Sequence, residues 1–476
     1  MARTALGIVS LARGETDLAL AERLFENLRG RILDGLWRHG DKLPGTRLIA
    51  RDAGVSRWTA VVAVDMLIAE GMVEARKRSG TYVAWRGESR KDDVVHVQSS
   101  APRPSMPFAL GTPALELFPT HVWRRLQARR WRQMPPEALD EGDPQGWPAL
   151  RQAIAEYAAT IRGIRCTAEQ VIVVSSIETG GRLIAKSLCR PGSLAWVEDP
   201  GSPISRAVVS SANMEAIPVA VDREGIDIDD GRKMAPMASL AVVSPSAQFP
   251  TGVLMSEARR RRLMDWAATS GSWILEVDHA SEFPFGHAQV RPMAAMPGAN
   301  RVIYFDTFSK HLFPSLRLAF LIVPRDAVSR ILDTRVSFDR PPGLPDQVIL
   351  ADFLSSGQFA KHLRRCREAY AERRDALRNA LREDCGNWLS IDETHHGLHL
   401  CARLPHGSDD VLLCARLRDA GVMAEPLSGF FSRPSDQRGL VLGFAAHRPE
   451  VLRQGVKSLV GVLNSFQFVH RLAAVG

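Results

Sequence analysis

Residues 301–320, RVIYFDTFSKHLFPSLRLAF, carry the reading on which the fold turns. The apolar run Val302 to Phe305 reads as a short buried strand, and Lys310 follows just past it, in a loop that also holds Thr307 and Ser309. Arg317 stands a few residues further on. A lysine at the C-terminal edge of a parallel sheet can form a Schiff base with an aldehyde cofactor, and nearby hydroxyls and an arginine can neutralise a phosphate.

Working outward, WILEVDHASEF (273–283) ends another strand on Asp278. A carboxylate there can keep a pyridine nitrogen protonated, which makes such a ring an electron sink. Further apolar runs, Val171 to Val174, Leu240 to Val243, Trp273 to Val277 and Ala319 to Val323, alternate with helical segments. That alternation predicts a mainly parallel α/β sheet, with a helical stretch from about Asp346 and a mixed α+β segment to the C-terminus. The run WRRLQARRWR (123–132) has the spacing of an amphipathic helix with Leu126 and Trp131 inward and a basic solvated or interface face.

The N-terminal part has a different pattern. Leu24, Leu28, Ile32 and Leu36 recur at helical spacing. Thr46 is placed to cap a second helix ending near Gly54, and Ser56 a third that contains Val61, Val64, Leu67 and Ile68. Two short helices joined by the AGVS turn (53–56) make a helix-turn-helix, whose second helix presents Arg57, Trp58 and Thr59 to the major groove. Gly71 stops that helix, and MVEARKRSGTYV (72–83) reads as two strands around a turn bearing Arg76, Lys77 and Arg78, suited to phosphate or the minor groove. The competing reading is a protein-interaction module with solvated charges; turn, caps and basic wing together favour DNA. Residues 17–85 are therefore expected to be a DNA-binding domain, 86–106 (RGESRKDDVVHVQSSAPRPSM) a linker, and 107–470 the effector domain.

Residues 43–83 resemble the winged helix of GntR-type bacterial repressors. By that resemblance Arg47, Ser56, Arg57, Thr59 and Gly80 fall at positions that usually contact DNA, with Gly45 and Trp58 departing from the usual serine and small polar residue. In the remainder, GDPQGWPALRQAIAEY (142–157), VIVVSSIETGG (171–181), AWVEDPGSP (195–203), SPSAQFPTGV (244–253), EVDHASEF (276–283), the lysine loop and GLVLGFA (439–445) resemble, in order, a fold-type I aminotransferase. The combination resembles the MocR/PdxR subfamily, in which such a domain is fused to a winged helix. The resemblance implies pyridoxal 5'-phosphate as cofactor, Lys310 as its Schiff-base lysine, Asp278 as partner of the pyridine nitrogen, and Ser175, Ser176, Thr307, Ser309 and Arg317 around its phosphate. It also implies a homodimer.

Some positions depart from the pattern. His279 stands where a tyrosine normally bonds the ring hydroxyl, and can donate a hydrogen bond in its place. Ser202 replaces a tyrosine beside the ring, removing a stacking surface worth about 1 kcal/mol. Ala247 replaces a common histidine, Ser175 the usual glycine of the phosphate loop, and SSIETGG lacks a frequent glutamine pair. Arg438 is a candidate for an effector carboxylate and equally reads as a surface charge.

The function expected is a transcriptional regulator that binds a double-stranded DNA operator and senses pyridoxal phosphate, an amine or an amino acid by aldimine formation at Lys310. An aminotransferase with an accessory DNA-binding head is the alternative, and a cofactor-free sensor on the same fold a third. A formal net charge of +8 favours an acidic partner. Six cysteines with no CxxC pair argue against zinc and a disulfide framework, so no metal is expected. The apolar run 5–12 is short and followed by Arg13, Glu15 and Asp17, unlike a signal peptide, and no stretch is long enough to span a bilayer. A cytoplasmic protein is expected.

Overall fold

Leucines one helical turn apart build the core of the first part of the chain. The structure, a computed structural model, describes residues 17–77, 79–85, 106–278, 281–285, 290–392 and 396–473; Arg78 and His279 lie outside them. The chain divides into two units, residues 1–102 and 103–476.

In the first unit, helix α1 (Asp17–Leu33) buries Ala21, Leu24, Leu28 and Ile32. Leu36 is not on that face. The helix ends at Leu33 and the chain turns through Gly35 at φ +72°, leaving Leu36 65% exposed. Helix α2 (Thr46–Ala53) has Gly45 at its N-cap, so Thr46 is its first helical residue and caps nothing; Gly54 closes it in the left-handed region. Helix α3 (Arg57–Ala69) is capped as expected, the Ser56 Oγ accepting from Thr59 N at 3.0 Å. Strands β1 (Val73–Arg76) and β2 (Gly80–Val83) pair antiparallel with Val73 opposite Val83, and both valines close the core formed by Leu24, Leu28, Ile49, Ala63 and Leu67.

The second unit is organised by an eight-stranded sheet. Its strands are β3 (Val171–Val174), β4 (Leu194–Asp199), β5 (Glu215–Asp222), β6 (Gly225–Ile226), β7 (Leu240–Val243), β8 (Trp273–Val277), β9 (Val302–Thr307) and β10 (Ala319–Ile322). Their order is β3-β10-β9-β8-β7-β4-β5-β6. Neighbours from β9 through β5 run parallel, and β10 is antiparallel to both β9 and β3. The apolar strands are covered on both faces, as continuous apolar runs require. Val171 and Val173 belong to one core cluster, Ile172 and Val174 to another. A separate four-stranded antiparallel sheet, β11 (Ser390–Ile391), β12 (His399–Leu404), β13 (Glu425–Pro426) and β14 (Arg438–Gly443), has the order β11-β12-β14-β13.

The basic run lies in helix α4 (Thr120–Trp131). Leu126 points inward as expected, whereas Trp131 is 52% exposed and Trp123 takes the inward place. Arg129 and Arg130 both bond the Asp352 carboxylate, at 2.7 Å and 2.6 Å, so that part of the basic face is engaged within the unit, while Arg124, Arg125 and Arg132 are exposed.

One close approach holds the sheet's flank. Trp196 of β4 stacks on Trp266 at 3.9 Å between centroids, and a Cβ on Gly231 would meet the Trp196 ring at 2.9 Å. Gly231→Ala is therefore expected to destabilise the protein by about 1–3 kcal/mol through overpacking. Guanidinium denaturation should show a lower midpoint with an unchanged slope.

Candidate functional site

Parallel strands place their C-terminal ends on one rim of a sheet, where α/β proteins bind ligands. Here β3 delivers Ser175 and Ser176 to that rim, β4 leads to Ser202, β8 to Asp278 and β9 to Thr307. The antiparallel β10 begins at the same rim, directly after Arg317. A cavity of about 270 Å³ opens there, lined by Ser175, Ser176, Glu178, Ser202, Asp278, Thr307, Ser309, Lys310 and Arg317 among others. The sheet thus gathers polar side chains from loops that are far apart in the chain. Of the expected cofactor residues only His279 cannot be placed.

Asp278 is almost completely enclosed and fully engaged. Its Oδ2 accepts from Tyr304 OH at 2.9 Å, from Ser281 Oγ at 2.6 Å and from the Arg162 guanidinium, while its Oδ1 accepts from Ser281 N at 2.9 Å. The carboxylate is thus paired with a guanidinium that is itself buried. Behind it, Glu282 accepts from Tyr157 OH at 2.6 Å and from His311 Nε2 at 2.9 Å, and Arg162 Nε lies 3.6 Å away. Burial works to raise the Glu282 pKa, but His311 and Arg162 hold it well below the usual carboxylate range. Burial works to lower His311, and the charges of Glu282 and Asp306 overcome it and raise the imidazole to about 9. Asp306 goes the other way, pushed well up by burial and by the Glu282 charge. Its buried Oδ2 has no hydrogen-bond partner among the described residues, as a neutral carboxyl can tolerate more cheaply than a carboxylate.

Lys310 sits in the short helix Phe308–His311 that β9 runs into. Burial pushes its ammonium down, against the raising influence of Asp306, Asp278 and Glu178. A lysine so placed releases its proton more readily and becomes a nucleophile toward carbonyl carbon. The hydroxyls form a local lattice. Ser175 Oγ donates to Thr179 Oγ1 at 3.0 Å, and Ser176 caps helix α6 (Ile177–Leu188), following α5 (Pro148–Tyr157), by accepting from Thr179 N at 3.3 Å. Thr307 Oγ1 accepts from Ser309 N at 3.2 Å. Arg317 is exposed, in the left-handed region at φ +49°.

A nucleophilic lysine, an ion-paired carboxylate, hydroxyls, an arginine and a helix N-terminus are the donor set that an anionic pyridine aldehyde requires, and the residues fit such a group. Glu178, exposed at the start of α6, is the one cavity carboxylate that opposes an anion.

The departures also have places. Ser202 lines the cavity and caps the helix Pro203–Ser211, accepting from Ile204 N at 3.3 Å. Ala247 is buried and is not among the residues that line the cavity. Arg438 Nη1 donates to the Ser435 and Gln437 carbonyls at 2.7 Å and 3.0 Å, which supports its reading as a surface charge. Arg162, Tyr304 and Glu178 are the site residues that sequence reasoning missed. Ser281 carried a faint signal, three residues after Asp278 in EVDHASEF, where it can bond back to the carboxylate.

In the first unit, Arg47, Ser56, Arg57 and Gly80 are all exposed. Gly80 has φ +123°, and a Cβ there would meet Lys42 Cε at 2.7 Å, so the turn of the wing needs glycine. Thr59 corrects the sequence reading. It has 0% exposure and its Oγ1 lies 2.7 Å from Ser56 Oγ, so it fixes the cap and does not reach solvent. Lys77 is exposed, and Arg76 pairs with Glu74 at 2.6 Å while lying 4.6 Å over the Tyr82 ring.

Comparison with known proteins gives a match for each unit. Residues 20–83 match the model of the bacterial regulatory proteins, gntR family, and residues 106–459 that of aminotransferase class I and II. The chain is 35% identical over 471 residues to the probable rhizopine catabolism regulatory protein MocR of Rhizobium meliloti, covering 94% of each chain. It is 27% identical to the pyridoxine biosynthesis transcriptional regulator PdxR of Corynebacterium glutamicum, covering 91% of this chain and 94% of the relative. Among solved structures, LysN, the alpha-aminoadipate aminotransferase of Thermus thermophilus complexed with N-(5'-phosphopyridoxyl)-L-leucine, aligns with TM-score 0.70 and 26% identity, over 76% of this chain and 93% of that one.

The His311 pKa of about 9 exceeds the value of roughly 6.5 for an unfolded histidine. Its stabilising contribution is then complete below about pH 6.5 and lost as pH rises through 9, a change on the order of 3 kcal/mol. Denaturant unfolding of wild type and His311→Asn at pH 6, 7.5 and 9.5 should show their stability difference shrinking with pH.

Proposed function

The chain belongs to the MocR/PdxR subfamily of GntR-type transcriptional regulators and is a DNA-binding regulator, and on that premise we propose that its second unit is a sensor of pyridoxal phosphate and of amino compounds, acting at Lys310. In this reading residues 17–85 are the DNA-binding head, 86–106 the linker and 107–470 the effector domain. The observation that carries the proposal is the convergence of Lys310 and the ion-paired Asp278 on one cavity.

Lys310, Asp278, His279, Ser175, Ser176, Thr307, Ser309 and Arg317 would hold pyridoxal phosphate, which when bound supplies an amine-reactive aldehyde and an electron-withdrawing ring. Each side chain has a separable task. Lys310 offers Nζ as the point of covalent attachment, its proton loosened by burial. Asp278 keeps one orientation because four hydrogen bonds from three residues fix it, and it can hold a proton on a heteroatom that meets its carboxylate. The hydroxyls and Arg317 neutralise and orient an anion. A ligand that binds one conformation of the effector domain better than another shifts the population of DNA-binding arrangements by that difference in affinity.

A homodimer would present two heads to an operator with two half-sites. The described residues contain no helix long and apolar enough to cross a membrane, and a DNA operator places the protein in the cytoplasm. An aminotransferase with an accessory head is the second reading, favoured by the same Lys310 and Asp278 geometry. A sensor needs only binding and a population shift, whereas turnover needs contacts made in the transition state, and Ser202 offers no aromatic surface. Steady keto acid production from any amino acid would favour the second reading.

Adding pyridoxal phosphate to purified protein should give a visible absorption band that borohydride bleaches and that Lys310→Ala lacks. No band in either protein would overturn the cofactor reading. In the head, Arg57→Ala should abolish specific operator binding with an unchanged circular dichroism spectrum; unchanged affinity would remove Arg57 from the DNA contact.

A further inference from the structure

The outward face of α3 is unusual for a base-reading surface. Ala60, Ala63, Val64 and Leu67 of this helix are buried in the core. The positions that share the opposite face, one and two turns apart, are Trp58, Val61, Val62 and Asp65. Trp58 is 55% exposed, Val61 and Val62 are part-exposed, and Asp65 is exposed. Thr59, the hydroxyl expected to read DNA, is turned inward onto Ser56. Apart from Arg57 at the helix start, the first two turns therefore offer apolar surface, with a single indole N–H donor, where a reading helix commonly carries amides or guanidinium groups.

Exposed cations stand on α2, at the start of α3 and just after β1. Arg47 and Arg51 of α2, Arg57 and Lys77 are exposed, which suits them to the phosphate backbone that positions a reading helix without specifying sequence. Asp65, at the far end of the face, is repelled by phosphate and confines close approach to the N-terminal turns. An apolar surface so confined gains nothing from G·C edges, which present only hydrogen-bonding groups in the major groove. The one apolar feature there is the 5-methyl group of thymine.

We propose that Trp58, supported by Val61, is a specificity-determining residue that reads thymine methyl groups in the major groove. Arg57 and the α2 arginines set the register, and Trp58 selects an A·T pair by burying its methyl against the indole. A duplex with uracil at that position keeps every hydrogen bond and every phosphate and loses only the contact.

The test uses the full-length protein and the duplex it enriches from a randomised library, with each thymine replaced singly by uracil. Wild type is expected to lose affinity about fourfold per methyl at one or two positions, the ratio that burial of one methyl group supplies. Trp58→Ser should bind the thymine duplex more weakly and treat thymine and uracil alike, and Val61→Ser should reduce the discrimination partly. Arg57→Ala should lose specific binding to the thymine and uracil duplexes alike. Trp58 is exposed, so the Ser variant keeps the core, which its circular dichroism and its affinity for random duplex will register. Wild-type indifference to uracil at every position, an enriched duplex without thymine, or undiminished discrimination in Trp58→Ser would each overturn the proposal.

Discussion

The buried pairing of Arg162 with Asp278 is the interaction on which the candidate site depends. Removing two charges from water costs several kcal/mol per ion, and the loss is recovered only when geometry and further hydrogen bonds are good. Here they are: Tyr304 and Ser281 complete the shell of Asp278, and Glu282, bonded by His311 and Tyr157, balances the remaining positive charge. Burial and the Glu282 charge push the neighbouring Asp306 carboxyl well up. The arrangement draws on the segment following α5, on β9 and on the loop after β8, so much of one face of the sheet must be in place before Asp278 acquires its environment.

Lys310 profits from the same burial in the opposite sense. What makes an ammonium costly there also makes the neutral amine available, while Asp306 and Asp278 limit the shift. The site thus keeps a fixed carboxylate and a labile amine on one cavity, the combination that covalent capture of an aldehyde asks for. In the first unit the division of labour is simpler. A hydroxyl cap, a wing turn that only glycine tolerates and a compact apolar core hold an exposed helix face in place.

Much of this was legible in sequence because it is local. Lys310, Thr307, Ser309 and Arg317 fall within one short segment between the bodies of β9 and β10, and Asp278 follows an apolar run; strand-end positions share a rim in any parallel sheet, so their convergence follows from the pattern. Ser56 announced its cap through its place before an apolar helix. Arg162 was invisible because its partner lies 116 residues away, and no periodicity encodes such a pairing. Thr59, Leu36 and Trp131 were misplaced for related reasons. Spacing alone does not say where α1 stops, nor which way a side chain at a helix start or end turns. The Thr59 hydroxyl satisfies the cap, and packing then closes over it.

In the proposed function, chemistry at Lys310 is coupled to DNA binding. Its most direct test is the affinity of full-length protein for its enriched duplex, by fluorescence anisotropy, as pyridoxal phosphate is titrated into wild type and Lys310→Ala in parallel. Affinity should change with pyridoxal phosphate in wild type and stay constant in the variant. Identical titrations for the two proteins, whether flat or sloped, would contradict it.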